Sequence, residues 1–345
     1  MNVRTYAFAQ LLRVLPRTRI TRAVGKLCDL ELPSALSRAA VGAYVRAYDV
    51  DLSEAAHPNN GSDAYGSFDA FFTRSLRPGA RTYDATDQGL VSPADGRLDT
   101  LGTITREGVI EVKGRPYRTA DLLGDEDEAQ RYLGGQFAVV YLSPRDYHRV
   151  HAPAAGMVSE IRSYPGDLFP VNRISQRHIP GFLARNRRVA IALDTMGFGR
   201  VTVVLVAAMI VGRITATGIE QRDVPFGTHP FDPPLVMERG AELGVFHLGS
   251  TAVLFAEEDA VPPFNRALGP VRLGQALITR PADSHPSEDG HPSEDGHPSE
   301  DGHPSEDGHP SEDGHPSEDG HPREDGRRSE DGRANTSALD REQEP

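Results

Sequence analysis

Three short stretches of this 345-residue chain set groups able to move protons or attack a carbonyl beside apolar runs. The first is YLSPRDYHRVHAP, residues 141–153, which carries His148 and His151. Three residues apart, they share one face if the segment is helical. Imidazole is the side chain whose ordinary pKa lies nearest neutrality, so general acid or base work is the natural chemistry. A zinc site would need further ligands, and none stands nearby.

The second stretch is SPADG, residues 92–96. Asp95-Gly96 reads as a two-residue hairpin turn, and alone its carboxylate has no chemical claim. The third is VFHLGSTAVLFA, residues 245–256, a buried-strand pattern interrupted by Gly249-Ser250-Thr251. Glycine inside a strand marks a bulge, a bend or a close backbone approach. The G-x-S-x-G elbow of serine hydrolases is absent, since Leu248 and Ala252 occupy its glycine positions. Ser250, His151 and Asp95 still supply the residue types of a triad, which is defined by geometry and not by chain order.

The elements that must position these groups fall in a β-rich region. Residues 88–280 are rich in Val, Ile, Thr and Gly, with runs such as QFAVVYL and RVAIALD between turn signals. The pattern predicts a mainly antiparallel β-rich domain with few helices. Ahead of it, Ser67 can cap a helix with apolar positions Phe68, Phe71, Phe72 and Leu76. Phe8, Leu11, Leu12 and Leu15 follow helical spacing up to Pro16, and Ile20, Val24 and Leu27 continue it beside Arg17, Arg19, Arg22 and Lys26. An apolar face with a basic border suits an anionic membrane surface, and equally a helix packed on its own core. The segment does not read as a signal peptide.

Charge is unevenly distributed. Residues 281–345 hold 20 acidic side chains and 5 arginines, leaving the rest of the chain close to neutral. That argues against a general nucleic-acid binder. The tail repeats HPSEDG six times from His285 and is expected to be disordered, because it has too little apolar surface to offset the entropy of ordering. Its histidines, six apart, are too widely spaced for a typical metal site. Cys28 is the only cysteine, which excludes an intrachain disulfide and fits a cytosol-facing protein. The longest apolar run, residues 201–212, is too short to span a bilayer. The expected organisation is a helical membrane-associating region (1–80), a β-rich catalytic domain (81–280) and a disordered tail (281–345), an α+β fold.

Taken in order, SPADG, LSPRDYHRVHAP and LGST resemble the motifs of bacterial phosphatidylserine decarboxylases, as do FDAFFTRSLRP, YPGDLFPVN, FLARNRRVAIALD and VGAYVRAYDV. The resemblance covers roughly residues 1–275. It implies a precursor that cuts itself between Gly249 and Ser250, giving a β chain and an α chain. It also implies that Ser250 becomes a covalent pyruvoyl group, which forms a Schiff base with phosphatidylserine in the membrane. By that resemblance His151 deprotonates Ser250, Asp95 orients His151, and His148 transfers a proton during decarboxylation to phosphatidylethanolamine. It further implies a peripheral or monotopic place on the cytoplasmic face of the cell membrane, and a homodimer of αβ units. The acidic tail departs from the family pattern. Two other readings of the same residues are a lipid-ester serine hydrolase that does not cut itself, and a non-catalytic membrane-surface binding protein.

Overall fold

The computed structural model describes residues 10, 15–58, 63–84, 89–171, 173–210, 212–247 and 250–278. The acidic tail lies outside them, as do Phe8, Leu11 and Leu12. The N-terminal part is helical. Helix α1 (Arg17–Cys28) starts directly after Pro16 and ends at Asp29. It is tied to the body by Arg17, whose guanidinium donates to Asp167 at 2.8 Å, and by Thr21, whose hydroxyl accepts from the Ile210 amide at 3.0 Å. Of its expected apolar face, Val24 packs against the core while Leu27 is 66% exposed.

Helix α2 (Ser34–Tyr48), which the apolar spacing had not singled out, ends at Asp49 in a left-handed conformation. Helix α3 (Phe68–Phe72) begins at Ser67, whose hydroxyl accepts from the Ala70 amide at 3.1 Å as its capping role requires. It stops a turn early. Leu76, expected to continue it, bridges to Ala55 in extended backbone. Among the described residues, no helix is long and apolar enough to cross a membrane.

The rest is strand-dominated: β1 (Gly96–Thr103), β2 (Val109–Val112), β3 (Arg115–Arg118), α4 (Thr119–Leu123), α5 (Glu126–Gln130), β4 (Gln136–Leu142), β5 (Arg149–His151), β6 (Gly156–Tyr164), α6 (Arg173–His178), α7 (Phe182–Arg185), β7 (Arg188–Thr195), β8 (Arg200–Val206), β9 (Arg213–Ala216), β10 (Gly227–Met237), β11 (Glu242–His247), β12 (Ser250–Ala256) and β13 (Gly269–Val271). Eight strands form one sheet in the order β10-β6-β7-β8-β12-β4-β1-β13, and a second sheet runs β5-β11-β9. Strands β2 and β3 pair separately. Every ladder is antiparallel, and the α+β expectation holds.

Both faces of the large sheet are covered, which explains why its central strands read as continuous apolar runs. Side chains alternate across a strand. Ala138, Val140 and Leu142 of β4 therefore enter one core with Val203 and Leu205 of β8 and Leu254 of β12. Phe137, Val139, Val204, Val253 and Phe255 enter the other. Phe71 and Phe72 of α3 join the first core, so the helical part and the β body share one interior. Burying one such phenylalanine contributes about 1.5–3 kcal/mol.

Candidate active site

The site is organised by two chain crossings between the sheets. Strand β4 belongs to the large sheet and β5 to the small one, and residues 143–148 connect them. Strand β11 belongs to the small sheet and β12 to the large one, with only residues 248–249 between them. The crossings are partnered. β12 pairs with β4, Ser250 standing opposite Leu142, while β11 pairs with β5, Val245 standing opposite Arg149. The Phe246 amide also donates to the His148 carbonyl at 3.0 Å. The segment holding Gly249 and Ser250 is thus bracketed by hydrogen-bonded neighbours of the histidine-bearing turn. Gly249 itself and the Ser250 side chain lie outside the described atoms.

The histidine-bearing segment is extended, not helical, so the two histidines do not share a face. His148 and Val150 are buried while Arg149 and His151 are partly exposed, the alternation of extended backbone. His148 is fully buried, with its ring 4.0 Å from that of Phe72. The Asp146 backbone lies near enough to favour its charged form weakly, yet neither ring nitrogen has a partner at hydrogen-bonding geometry. Burial, reinforced by Arg74, pushes His148 down to about 3. At neutral pH it is an uncharged imidazole.

His151 is held differently. Its Nδ1 lies 2.8 Å from the Gly240 carbonyl, which can only accept, so Nδ1 carries the proton. Its Nε2 is then the basic nitrogen and accepts from the Tyr147 hydroxyl at 3.1 Å. Burial holds its pKa below the ordinary imidazole value, opposed by the Gly240 carbonyl and by the charges of Glu242 and Asp95.

Asp95 is brought to this neighbourhood by backbone. The His151 amide donates to the Pro93 carbonyl at 2.8 Å, and the Val91 amide to the Pro153 carbonyl at 3.2 Å. Residues 92–96 therefore form a bend docked on β5, where the sequence had suggested a simple hairpin turn. Gly96 has φ 154°, and a Cβ there would fall 2.3 Å from the Tyr141 carbonyl oxygen, so only glycine allows β1 to start here. The expected Asp95–His151 hydrogen bond is not formed. Asp95 Oδ1 accepts from Arg81 Nε at 3.0 Å and from the Leu273 amide at 2.8 Å, and the second Arg81 nitrogen binds Oδ2. Asp95 thus acts on His151 through its field, while a backbone carbonyl fixes the tautomer.

Sequence reasoning missed Arg81, Tyr147 and the Gly240 carbonyl. Tyr147 stands inside the stretch already singled out, and its place four residues before His151, on the same side of an extended segment, was a readable signal. The Gly240 carbonyl left none, because any residue can present a backbone oxygen. Among the described residues no group of three or more metal-ligating side chains gathers.

A tautomer-fixed imidazole on β5 and a serine opening β12 are residue types able to carry out acyl chemistry. The family model for phosphatidylserine decarboxylase matches residues 68–279. Curated relatives carry the name phosphatidylserine decarboxylase proenzyme. That of Marinobacter nauticus is 41% identical over 272 residues, covering 76% of this chain and 94% of the relative. That of Shewanella halifaxensis is 39% identical over 276 residues (76% and 95%), and that of Acinetobacter baumannii 42% identical over 257 residues (74% and 88%). The chain belongs to the phosphatidylserine decarboxylase family.

Proposed function

We propose that this protein is a phosphatidylserine decarboxylase made as a proenzyme, which cuts itself between Gly249 and Ser250 and carries a pyruvoyl group derived from Ser250. The observation that carries this reading is the partnered crossing: β11 and β12, which flank the glycine-serine step, pair with β5 and β4, which flank the turn that holds His148. The surroundings fit such a group. Among the described residues, His148 Nδ1 and Nε2 and Thr251 Oγ1 are buried polar atoms without partners, on β12 and on the turn between its partner β4 and β5. Orphaned buried polar atoms cost about 1–3 kcal/mol each, and a functional role is one reason to retain them.

In the cleavage step His151 Nε2 takes the Ser250 hydroxyl proton once Tyr147 yields its place, and the oxygen attacks the Gly249 carbonyl carbon. The C–N bond breaks as the ester forms, and the His151 imidazolium returns the proton to the departing amine. Loss of the Ser250 α proton then expels the Gly249 carboxylate. The resulting dehydroalanine takes up water and releases ammonia. The negative field of Asp95 favours the transient imidazolium, and the Gly240 carbonyl keeps Nδ1–H in place. The pyruvoyl group supplies a carbonyl electron sink for a substrate amine. His148, neutral and shielded from bulk water, relays a proton to the carbon that has lost carboxylate, giving up its N–H as its other nitrogen takes a proton up.

Phosphatidylserine is the substrate in this reading, and α1 approaches the membrane. Its Arg22 and Lys26 are exposed, as are Leu27, Leu30 and Leu36 nearby. Basic and apolar groups together suit the cytoplasmic face of an anionic bilayer without any crossing helix. Intact-mass analysis of purified protein tests the proposal. Two chains meeting at Gly249 and Ser250, with a pyruvoyl-blocked α chain, are expected. A single uncut chain with decarboxylase activity would refute it.

A further inference from the structure

A cavity of about 340 Å³ opens between α1 and the β body, a size usual for small-molecule sites. His247, the last residue of β11, lines it and is 9% exposed. Its Nδ1 lies 2.8 and 3.0 Å from the two carboxylate oxygens of Asp69. Acceptor oxygens on both sides require that Nδ1 carry the proton, so Arg213, 3.2 Å away, acts there only as a neighbouring charge. Asp69 therefore orients His247 as a carboxylate orients the imidazole of a triad, and Nε2 is buried without a partner among the described residues.

The charges around the cavity are not balanced. The carboxylates that line it are all engaged: Asp29 by Arg213 and Arg222, Asp69 by the same two and His247, and Asp223 by Arg187. Among the described residues, the lining cations Arg22 and Lys26, one turn apart on α1, have no ion pair. The charge still free to meet a ligand is positive. Ile210 and Phe226, 42% and 59% exposed, give the cavity an apolar border. His247 precedes Ser250 by three residues, so their Cα atoms are within about 11 Å.

We propose that this cavity binds an amino-phospholipid headgroup, with Lys26 and Arg22 meeting the phosphodiester charge and His247 Nε2, oriented by Asp69, accepting from the headgroup ammonium in the interior. The proposal rests on the decarboxylase reading and makes this cavity the place where its substrate is held. Ammonium, phosphodiester and acyl chains thus meet His247, the cations of α1 and the apolar border in order from interior to rim.

The chain has only two lysines, Lys26 and Lys113, and Lys113 is paired with Asp99, so reagent labelling of lysine reports the site with an internal reference. Full-length wild-type protein is acetylated with and without glycerophosphoethanolamine or inorganic phosphate. Expected is protection of Lys26 by glycerophosphoethanolamine, weaker protection by phosphate, and no change at Lys113. Equal loss at both lysines, or protection by phosphate alone, overturns the headgroup assignment. The second arm measures decarboxylation of short-chain phosphatidylserine in detergent by H247Q and D69N after intact mass has established cleavage. Expected is a KM raised about tenfold for H247Q, the loss of one hydrogen bond to a charged group, with kcat within about twofold. An unchanged KM, or a chain that stays uncut, overturns the assignment of His247 to the ligand. Wild-type protein without decarboxylase activity would strike the decarboxylase reading, while Lys26 protection would still be read independently.

Discussion

Asn186 and His148 are both completely buried polar side chains, and they are treated in opposite ways. Asn186 sits where β7 begins and spends its whole amide group. Its Nδ2 donates to the carbonyls of Phe169 and Ala207, and its Oδ1 accepts from the Phe169 amide, all at 2.8 Å. His148 sits at the crossing beside β11 and makes no side-chain hydrogen bond. The first is a staple that closes irregular backbone against the sheet. The second is a desolvated base kept at a cost to stability, the pattern expected where function and not folding sets the residue.

The largest expected effect lies on the functional side of that contrast. Ser250→Ala should leave the chain uncut and inactive, whereas His148→Ala should be cut normally yet decarboxylate at least about a hundredfold more slowly, the usual worth of a positioned proton-transfer group. Gel analysis and CO2 release separate the two. A fully active His148→Ala protein would remove His148 from the chemistry and leave its burial without a reason.

Next comes the staple. Asn186→Ala strands two carbonyls and one amide in the interior and should cost about 3 kcal/mol in urea unfolding, while His148→Phe should be neutral or stabilising. Equal losses from both would erase the distinction drawn above.

Acid sensitivity gives a smaller effect. His148 is depressed to about 3 in the fold against an ordinary value of 6.5, so protons bind the unfolded chain more readily. Its contribution to stability is complete above pH 6.5 and is lost as pH falls from there toward 3. Between pH 7 and pH 5 this amounts to about 2 kcal/mol, and His151, also depressed, acts in the same direction. Unfolding of Ser250→Ala protein at the two pH values, with and without His148→Phe, should show the slope shrinking in the double variant. Smallest of all, deletion of residues 284–345 should leave cutting and turnover within about twofold, since the tail lies beyond every motif.

The site was legible in the sequence to different depths. His148, His151, Asp95 and the Gly249-Ser250 step were picked out by residue type and by motif order; the structure docks the SPADG stretch on β5 and pairs the strands on either side of the two crossings. The face-sharing of His148 and His151 was misread, because spacing of three means one thing in a helix and the opposite in a strand. The partner of His151 was invisible, since a backbone carbonyl replaces the carboxylate that residue types suggested. His247 stood in plain view beside the glycine-serine step, but nothing in sequence links it to Asp69, 178 residues away.

What the sequence by itself determined is local: caps, strand-forming runs, the glycine that permits a close approach, and an ordered set of motifs tied to one family. Only the tertiary structure decided which polar groups meet. Hydrogen bonds act over about 3 Å, and whether two distant residues come that close depends on how two sheets are stacked and crossed. The same packing decided which imidazoles were satisfied and which were left dry, and so which of them are free for chemistry.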